Sequence, residues 1–398
     1  MQLSDEFKVF RKAIESELFK NILPFHINHL VDKERGGFFG AISNDLVVSR
    51  DADKGVIQCS RILWTYARAY RQFRLEEHLQ VARHAYTYLI ERFWDEQYGG
   101  FYWVLDACGK PLDTGKLIYA QVFAIYGLAE FYLTSGDAHS LETAKKLFHL
   151  IEEHAILNES GGYADACERD CQIDHTRNVD SIDFTAAFSM NTHLHLLEAY
   201  TNLLLAWPDD FLRTQLHKLI VLTIEHIYDT RNCHLLLHFD ADWQPLNSII
   251  SYAHDIEASW LLWEAAETLG DEAILERVRP VTLKLAETVL HESFDPQAGG
   301  IFDERRTDGV FVDSKGWWAQ AEAMVGFFNA YQLSGDEAYL NAVLKTWQFI
   351  REHISDHQYG EWYWGVNSQG VVLNEEKTGM WKTPYHNGRA CMELMQRI

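Results

Sequence analysis

A short motif recurs along the chain at a nearly constant interval: glycine, usually doubled, then aromatics. It reads Gly36-Gly37-Phe38-Phe39, Gly99-Gly100-Phe101-Tyr102-Trp103, Gly161-Gly162-Tyr163, Gly299-Gly300-Ile301-Phe302 and Gly360-Glu361-Trp362-Tyr363-Trp364. From the last glycine of each copy, the steps are 63, 62, 138 and 60 residues. The long step is about twice the others, so one copy is degenerate; His234 to Phe239 lies near its expected place. The 398 residues thus divide into six units of about 65. A period of this kind means a repeat architecture, in which each unit buries its apolar face against its neighbours.

Each unit holds two helical stretches and one short extended segment. In Ser60 to Phe73, Ile62, Leu63, Tyr66, Ala69 and Tyr70 recur at three- and four-residue steps, one face of a helix. The same pattern runs through Ile118 to Tyr132, Met190 to Leu205, Ile256 to Leu269 and Ala319 to Leu333. Ser135-Gly136-Asp137, Leu269-Gly270-Asp271 and Ser334-Gly335-Asp336 each end one helix. Glycine there suits a left-handed C-terminal cap, and the aspartate starts the next helix. Six helical pairs close a double ring, so the expected fold is all-α: an (α/α)6 barrel of twelve helices with short β-hairpins at one end. Residues 1–398 would form one domain. An open superhelix is the alternative, although neither end of the chain carries a polar capping repeat.

Composition narrows the partners. With 35 basic and 58 acidic side chains, the net charge is −23, which disfavours nucleic acid and anionic membrane surfaces. No window approaches the length and apolarity of a membrane span, and Met1 to Lys8 shows no basic segment leading into an apolar run. The six cysteines are scattered, and Cys167 and Cys171, the one close pair, have no zinc-spaced partner. They read as reduced thiols in a cytoplasmic protein. Phosphate-binding glycine loops, a dinucleotide fingerprint, a nucleophile elbow and a His-Glu-x-x-His motif are all missing from the sequence.

What remains is histidine, carboxylate and aromatic side chains sharing helix faces. Arg61 and Trp64 are i, i+3; Asn191 and His195 are i, i+4; His254, Glu257 and Trp260 or Leu261 follow one stripe; Trp318 and Glu322 are i, i+4. In Trp381-Lys382-Thr383-Pro384-Tyr385-His386-Asn387-Gly388-Arg389, Pro384 is expected to break helix and leave Trp381 to His386 in a loop. Singly, each such residue also reads as ordinary core. Together, at helix starts that follow glycine-aromatic units, they suit proton transfer on a carbohydrate without a cofactor. Aromatic faces stack on sugar rings, and histidine carries protons near neutral pH. His193 projects from another face than His195 and reads as structural. The acidic stretch Cys167 to Phe188, with Asp170, Asp174, Asp180 and Asp183, reads as a long loop over the site.

Four stretches carry a family resemblance over essentially the whole chain: Ala52-Asp53-Lys54-Gly55-Val56 through Ser60-Arg61-Ile62-Leu63-Trp64, Tyr252-Ala253-His254-Asp255-Ile256-Glu257-Ala258-Ser259-Trp260, Trp317-Trp318-Ala319-Gln320-Ala321-Glu322-Ala323, and Trp381 through Arg389. The sequence resembles the N-acylglucosamine 2-epimerase superfamily, and within it the cellobiose 2-epimerases. That resemblance implies an (α/α)6 barrel. It implies interconversion of reducing-end glucose and mannose in β-1,4-linked disaccharides such as cellobiose, lactose or mannobiose, with a sugar as the small-molecule partner, no cofactor and no metal. By motif, His254 and His386 would be the acid/base pair and His195 a third site histidine. Arg61 would bind the oxygen that becomes negative. Tyr119, Asn191, Glu257 and Glu322 would contact hydroxyls or orient histidines, and Trp260, Trp318 and Trp381 would line the sugar. The assembly would be a monomer or homodimer. A mannose 2-epimerase or an aldose–ketose isomerase is the nearest alternative. An (α/α)6 glycoside hydrolase using Glu257 and Glu322, and a sugar-binding protein without turnover, are more remote.

Overall fold

Inverting the usual surface-helix pattern, half of the helices in this chain are buried on nearly every side. The computed structural model describes residues 5–157, 161–178, 180 and 185–398. In chain order the helices are α1 (Asp5–Glu17), α2 (Leu23–His29), α3 (Val56–Phe73), α4 (Glu76–Tyr88), α5 (Ile118–Ser135), α6 (Ala138–His154), α7 (Met190–Ala206), α8 (Asp210–Leu222), α9 (Tyr252–Leu269), α10 (Glu272–Glu292), α11 (Trp317–Ser334), α12 (Glu337–Phe349) and α13 (Tyr385–Arg397). In α5, every residue from Ile118 to Phe131 is buried. The sequence pattern of a single apolar face is therefore only part of the burial: an inner helix has an outer helix behind it, a neighbour on each side and the barrel axis in front.

The inner helices α3, α5, α7, α9, α11 and α13 pack each on the next, and α13 packs back on α3. The outer helices α4, α6, α8, α10 and α12 pack on the inner helices that precede them, and α1 packs on α13. The ring is closed, with the start of the chain against its end, so the architecture is an (α/α)6 barrel rather than an open superhelix. Close approach of inner helices uses glycine: a Cβ on Gly127 of α5 would meet Ser60 O of α3 at 2.8 Å, and one on Gly326 of α11 would meet Ile256 O of α9 at 2.6 Å. Gly136, Gly270 and Gly335 adopt left-handed caps, and Asp137, Asp271 and Asp336 cap the following helices with their carboxylates.

Among the described residues, six antiparallel bridges mark the glycine-aromatic units. They join Val31 to Phe38, Trp94 to Phe101, Ile156 to Tyr163, Tyr228 to Leu235, Phe294 to Ile301 and Ser355 to Trp362. The degenerate copy is thus at 228–235, with Cys233 in the left-handed conformation that glycine holds elsewhere (φ 62°). A second marker was invisible as a motif: Asp32, Asp95, Asp295 and Asp356 sit four residues before a turn glycine, and each pairs with a lysine, Lys54, Lys116, Lys315 and Lys377.

Antiparallel pairs then join neighbouring units: Gly55 with Val104, Leu117 with Ala166, Ser189 with His238, Ser251 with Glu304, Gly316 with Gly365, and Ala41 with Gly379 across the chain ends. The first five lead directly into α3, α5, α7, α9 and α11. The N-termini of the inner helices therefore gather at the hairpin end. At the fourth position of an inner helix, Gln121, His193, Asp255 and Gln320 each accept the N–H that follows a turn. His193 is thus a structural histidine, with Nδ1 on Ser189 O and Nε2 on Tyr163 N. Pro384 does not leave His386 in a loop. It is the N-cap of α13, and His386 stands in that helix's first turn, because a helix start needs no N–H from proline.

Candidate active site

At the hairpin end the helix starts surround a cavity lined by Arg61, Tyr119, Asp180, Asn191, His195, His254, Glu257, Trp317, Trp318, Trp364, Trp381 and His386. Its cavity volume is about 260 Å³, near the lower end of the range for small-molecule sites. The lining residues of each inner helix come from its first two turns, so the positive ends of several helix dipoles converge here and favour an anion.

Each site histidine is held by Nδ1. His195 Nδ1 lies 2.8 Å from Glu198 Oε2, His386 Nδ1 2.7 Å from Glu322 Oε1, and His254 Nδ1 2.7 Å from Ser251 Oγ. The carboxylates assign the Nδ1–H tautomer to His195 and His386, leaving Nε2 as the free nitrogen. Ser251 can donate or accept, so it does not impose a tautomer on His254. The rings of His254 and His386 both lie against Trp318, at 4.9 and 5.6 Å between centroids. His195 sits edge-on to Tyr119 at 4.9 Å.

Behind the histidines is one buried guanidinium. Arg389 Nη2 donates to Glu257 Oε1 at 2.8 Å and to Glu322 Oε1 at 2.7 Å, and Nη1 bonds Glu198 Oε1. Tyr385 OH also bonds Glu198. Ligand atoms of Glu257, Glu322 and His386 lie within 4.8 Å of one another, a grouping that linear spacing did not reveal. The cation that these two carboxylates face is Arg389. Arg61 Nη2 donates to Tyr119 OH at 2.7 Å and Nη1 to Trp381 O at 2.9 Å, with Phe123 4.4 Å beneath the guanidinium.

Burial and these charges set the protonation states. Burial, with the Arg61 and Arg389 cations, holds His386 well below its ordinary value. Burial lowers His254 to about 4, against the opposing pull of the Asp180 carboxylate. Burial also lowers His195, which Glu198 opposes. For Glu198 burial works upward, yet Arg389 and His195 bring it down to about 2. Glu257 is pushed well above its ordinary value by burial and by Glu322.

Nine of the eleven residues singled out in the sequence meet at the cavity: Arg61, Tyr119, Asn191, His195, His254, Glu257, Trp318, Trp381 and His386. Two stand behind it. Trp260 is one turn deeper into the barrel than Glu257; its Nε1 donates to Glu322 Oε2 at 3.0 Å and its ring lies 4.8 Å from the Arg389 guanidinium. Glu322 is fully buried between Trp260, His386 and Arg389. Sequence reasoning missed Trp317 and Trp364 as wall residues, although both lie in motifs it used. It also missed Glu198, whose i, i+3 spacing from His195 was a usable signal. Asp180 does line the cavity: Oδ1 accepts from Asn191 Nδ2 at 2.8 Å and Oδ2 meets His238 Nε2 at 2.9 Å. Asp183 falls outside the described residues.

Comparison with known proteins agrees with this architecture. The chain is 42% identical to the cellobiose 2-epimerase of Bacteroides fragilis over 389 residues, 98% of this chain and 99% of that protein. It is 38% identical to that of Dictyoglomus turgidum, covering 99% of this chain and all of the other. The solved structure of cellobiose 2-epimerase from Bacillus thermoamylovorans superposes with a TM-score of 0.94 at 37% identity, over 98% of this chain and all of that one. The N-acylglucosamine 2-epimerase family profile matches residues 37–390, a span holding every lining residue of the cavity, and the chain belongs to that family.

Proposed function

We propose that this protein is a disaccharide 2-epimerase, acting through one catalytic domain on the reducing-end sugar of β-1,4-linked disaccharides such as cellobiose. The observation that carries the reading is the pair of histidines on Trp318, each with Nδ1 engaged and Nε2 without a partner among the described residues. Epimerisation at C2 begins from the open-chain aldose, whose aldehyde acidifies the C2–H bond. His386, kept neutral beside two guanidinium groups, takes that proton on Nε2. The electron pair moves into an enediolate, and the C1 oxygen becomes negative. Arg61 and the converging helix N-termini stabilise that oxygen, one well-aimed donor contributing about 3–4 kcal/mol. His254, where the Asp180 carboxylate partly offsets the loss of proton affinity that burial causes, returns a proton to the opposite face of C2. In the reverse direction the two histidines exchange roles. His195, anchored by Glu198, assists ring opening. Glu257 Oε2 and Asn191 Oδ1 lack partners among the described residues; Asn191 Oδ1 accepts from a sugar hydroxyl, while Glu257, its carboxyl held protonated by burial and Glu322, donates from Oε2 to a sugar oxygen. Trp317, Trp318, Trp364 and Trp381 offer apolar faces to the sugar rings.

Hydrolysis suits this site poorly. It needs two carboxylates flanking the scissile bond, whereas Glu257 and Glu322 share one guanidinium nitrogen and Glu322 is off the cavity wall. The deciding experiment is proton NMR with cellobiose, and separately with mannose, in D2O. A new mannose reducing end carrying deuterium at C2 is the expected result. Conversion of mannose but not cellobiose would shift the reading to a monosaccharide enzyme, and free glucose from cellobiose would replace it with hydrolysis.

A further inference from the structure

We infer that Arg389 is a positioning residue which couples the site histidines, by holding in one hydrogen-bonded cluster the two carboxylates that anchor His195 and His386. This rests on the two-histidine reading above. The path is continuous. Arg389 Nη1 bonds Glu198 Oε1, and the other oxygen of Glu198 holds His195 Nδ1 at 2.8 Å. Arg389 Nη2 bonds Glu322 Oε1 at 2.7 Å, and the same oxygen holds His386 Nδ1 at 2.7 Å. The guanidinium also reaches Glu257 at 2.8 Å, so three carboxylates from α7, α9 and α11 converge on one cation from α13.

The cation is itself fixed from both sides. The Tyr385 ring lies 4.3 Å away and the Trp260 ring 4.8 Å away, and the side chain is 1% exposed. Three carboxylates against one guanidinium leave an excess of negative charge. The cluster relieves it by keeping Glu257 protonated more readily than Glu198, in line with the opposite directions in which the two are displaced. Arg389 thereby keeps Glu198 and Glu322 as acceptors for Nδ1–H and leaves each Nε2 as the working nitrogen. Lysine carries the charge without the planar fork, so it cannot serve both branches at once.

Removal of a buried cation risks unfolding, so the first test leaves Arg389 in place. Glu198→Gln and Glu322→Gln touch different histidines and meet through Arg389. Combined, they should lose no more kcat than the worse single variant, within about threefold. Losses that multiply would overturn the coupling. Arg389→Lys should fold, retain KM for cellobiose within a few-fold, and move the acid limb of the kcat profile upward. Two changes push it that way: a weakened cation near His386, and a Glu198 released toward its ordinary value. An unmoved limb with merely lower kcat would mark Arg389 as structural only. Ring-nitrogen NMR of His195 and His386 reads the Nδ1–H tautomer without turnover. Loss of that tautomer in Arg389→Lys is the expected result, and its persistence would refute the inference even if cellobiose proved not to be the substrate.

Discussion

The two sides of the cavity are built by different means. On the His386 side every part comes from the regular barrel: Glu257 from α9, Glu322 from α11, His386 and Arg389 from α13. The anchors are carboxylates, and burial is complete. On the His254 side the ring is held by the Ser251 hydroxyl, which caps α9. The carboxylate raising its proton affinity is Asp180, from the connection between the Cys167–Ile173 hairpin and α7, tied down by Asn191 and His238. A carboxylate fixes a tautomer, whereas a hydroxyl follows whichever tautomer is present. One side is fixed in tautomer as well as in position, and the other is free to change tautomer.

The largest expected effect separates the sides directly. His386→Asn and His254→Asn should each lower epimerisation by about 10²–10⁴. In D2O, His254→Asn should still exchange the C2 proton of one epimer, and His386→Asn only that of the other. Exchange of the same epimer by both variants would break the two-sided assignment. A smaller effect is expected at Asp180. Asp180→Asn withdraws the charge that opposes desolvation of His254, so the His254 proton is held still less well. One unit of pKa is a tenfold change, and kcat near neutral pH should fall about tenfold, with KM little altered. An unchanged kcat would remove Asp180 from the electrostatics of the acid.

The smallest effect concerns stability. His26, His193 and His254 are each lowered to about 4 by burial. Between about pH 6.5 and 4 the unfolded chain binds protons that the folded chain does not. Stability therefore rises with pH across that window and is lost as pH falls through it. The urea midpoint should drop from pH 7 to pH 5. His193→Gln places at α7 the residue that serves α5 and α11 at the same position. It should flatten that slope while leaving kcat within about twofold; a collapse in kcat would make His193 part of the chemistry.

Legibility followed period and distance. The six-unit count was readable because the turn glycines and aromatics repeat, and even the degenerate copy fell where the spacing put it. Lining residues were readable when they stood one turn apart on one helix, as with Asn191 and His195. Trp260 misled because i, i+3 from Glu257 shares its face but descends a turn into the barrel. Pro384 misled because proline marks a helix start as readily as a helix end. Asp180 carried no local signal of its role, since its meaning comes from Asn191 and His238, 11 and 58 residues away.

The sequence by itself determined the repeat, the helical pairing, the cap chemistry and the side chains available for proton transfer, because turns, caps and periodicity are local properties of the chain. Ring closure was decided only in three dimensions, by α13 packing on α3 and Ala41 pairing with Gly379. So was the meeting of Glu198, Glu257 and Glu322 on Arg389. Their partners lie 191, 132 and 67 residues apart, and the protonation of buried charges depends on what surrounds them in space rather than on their neighbours in sequence.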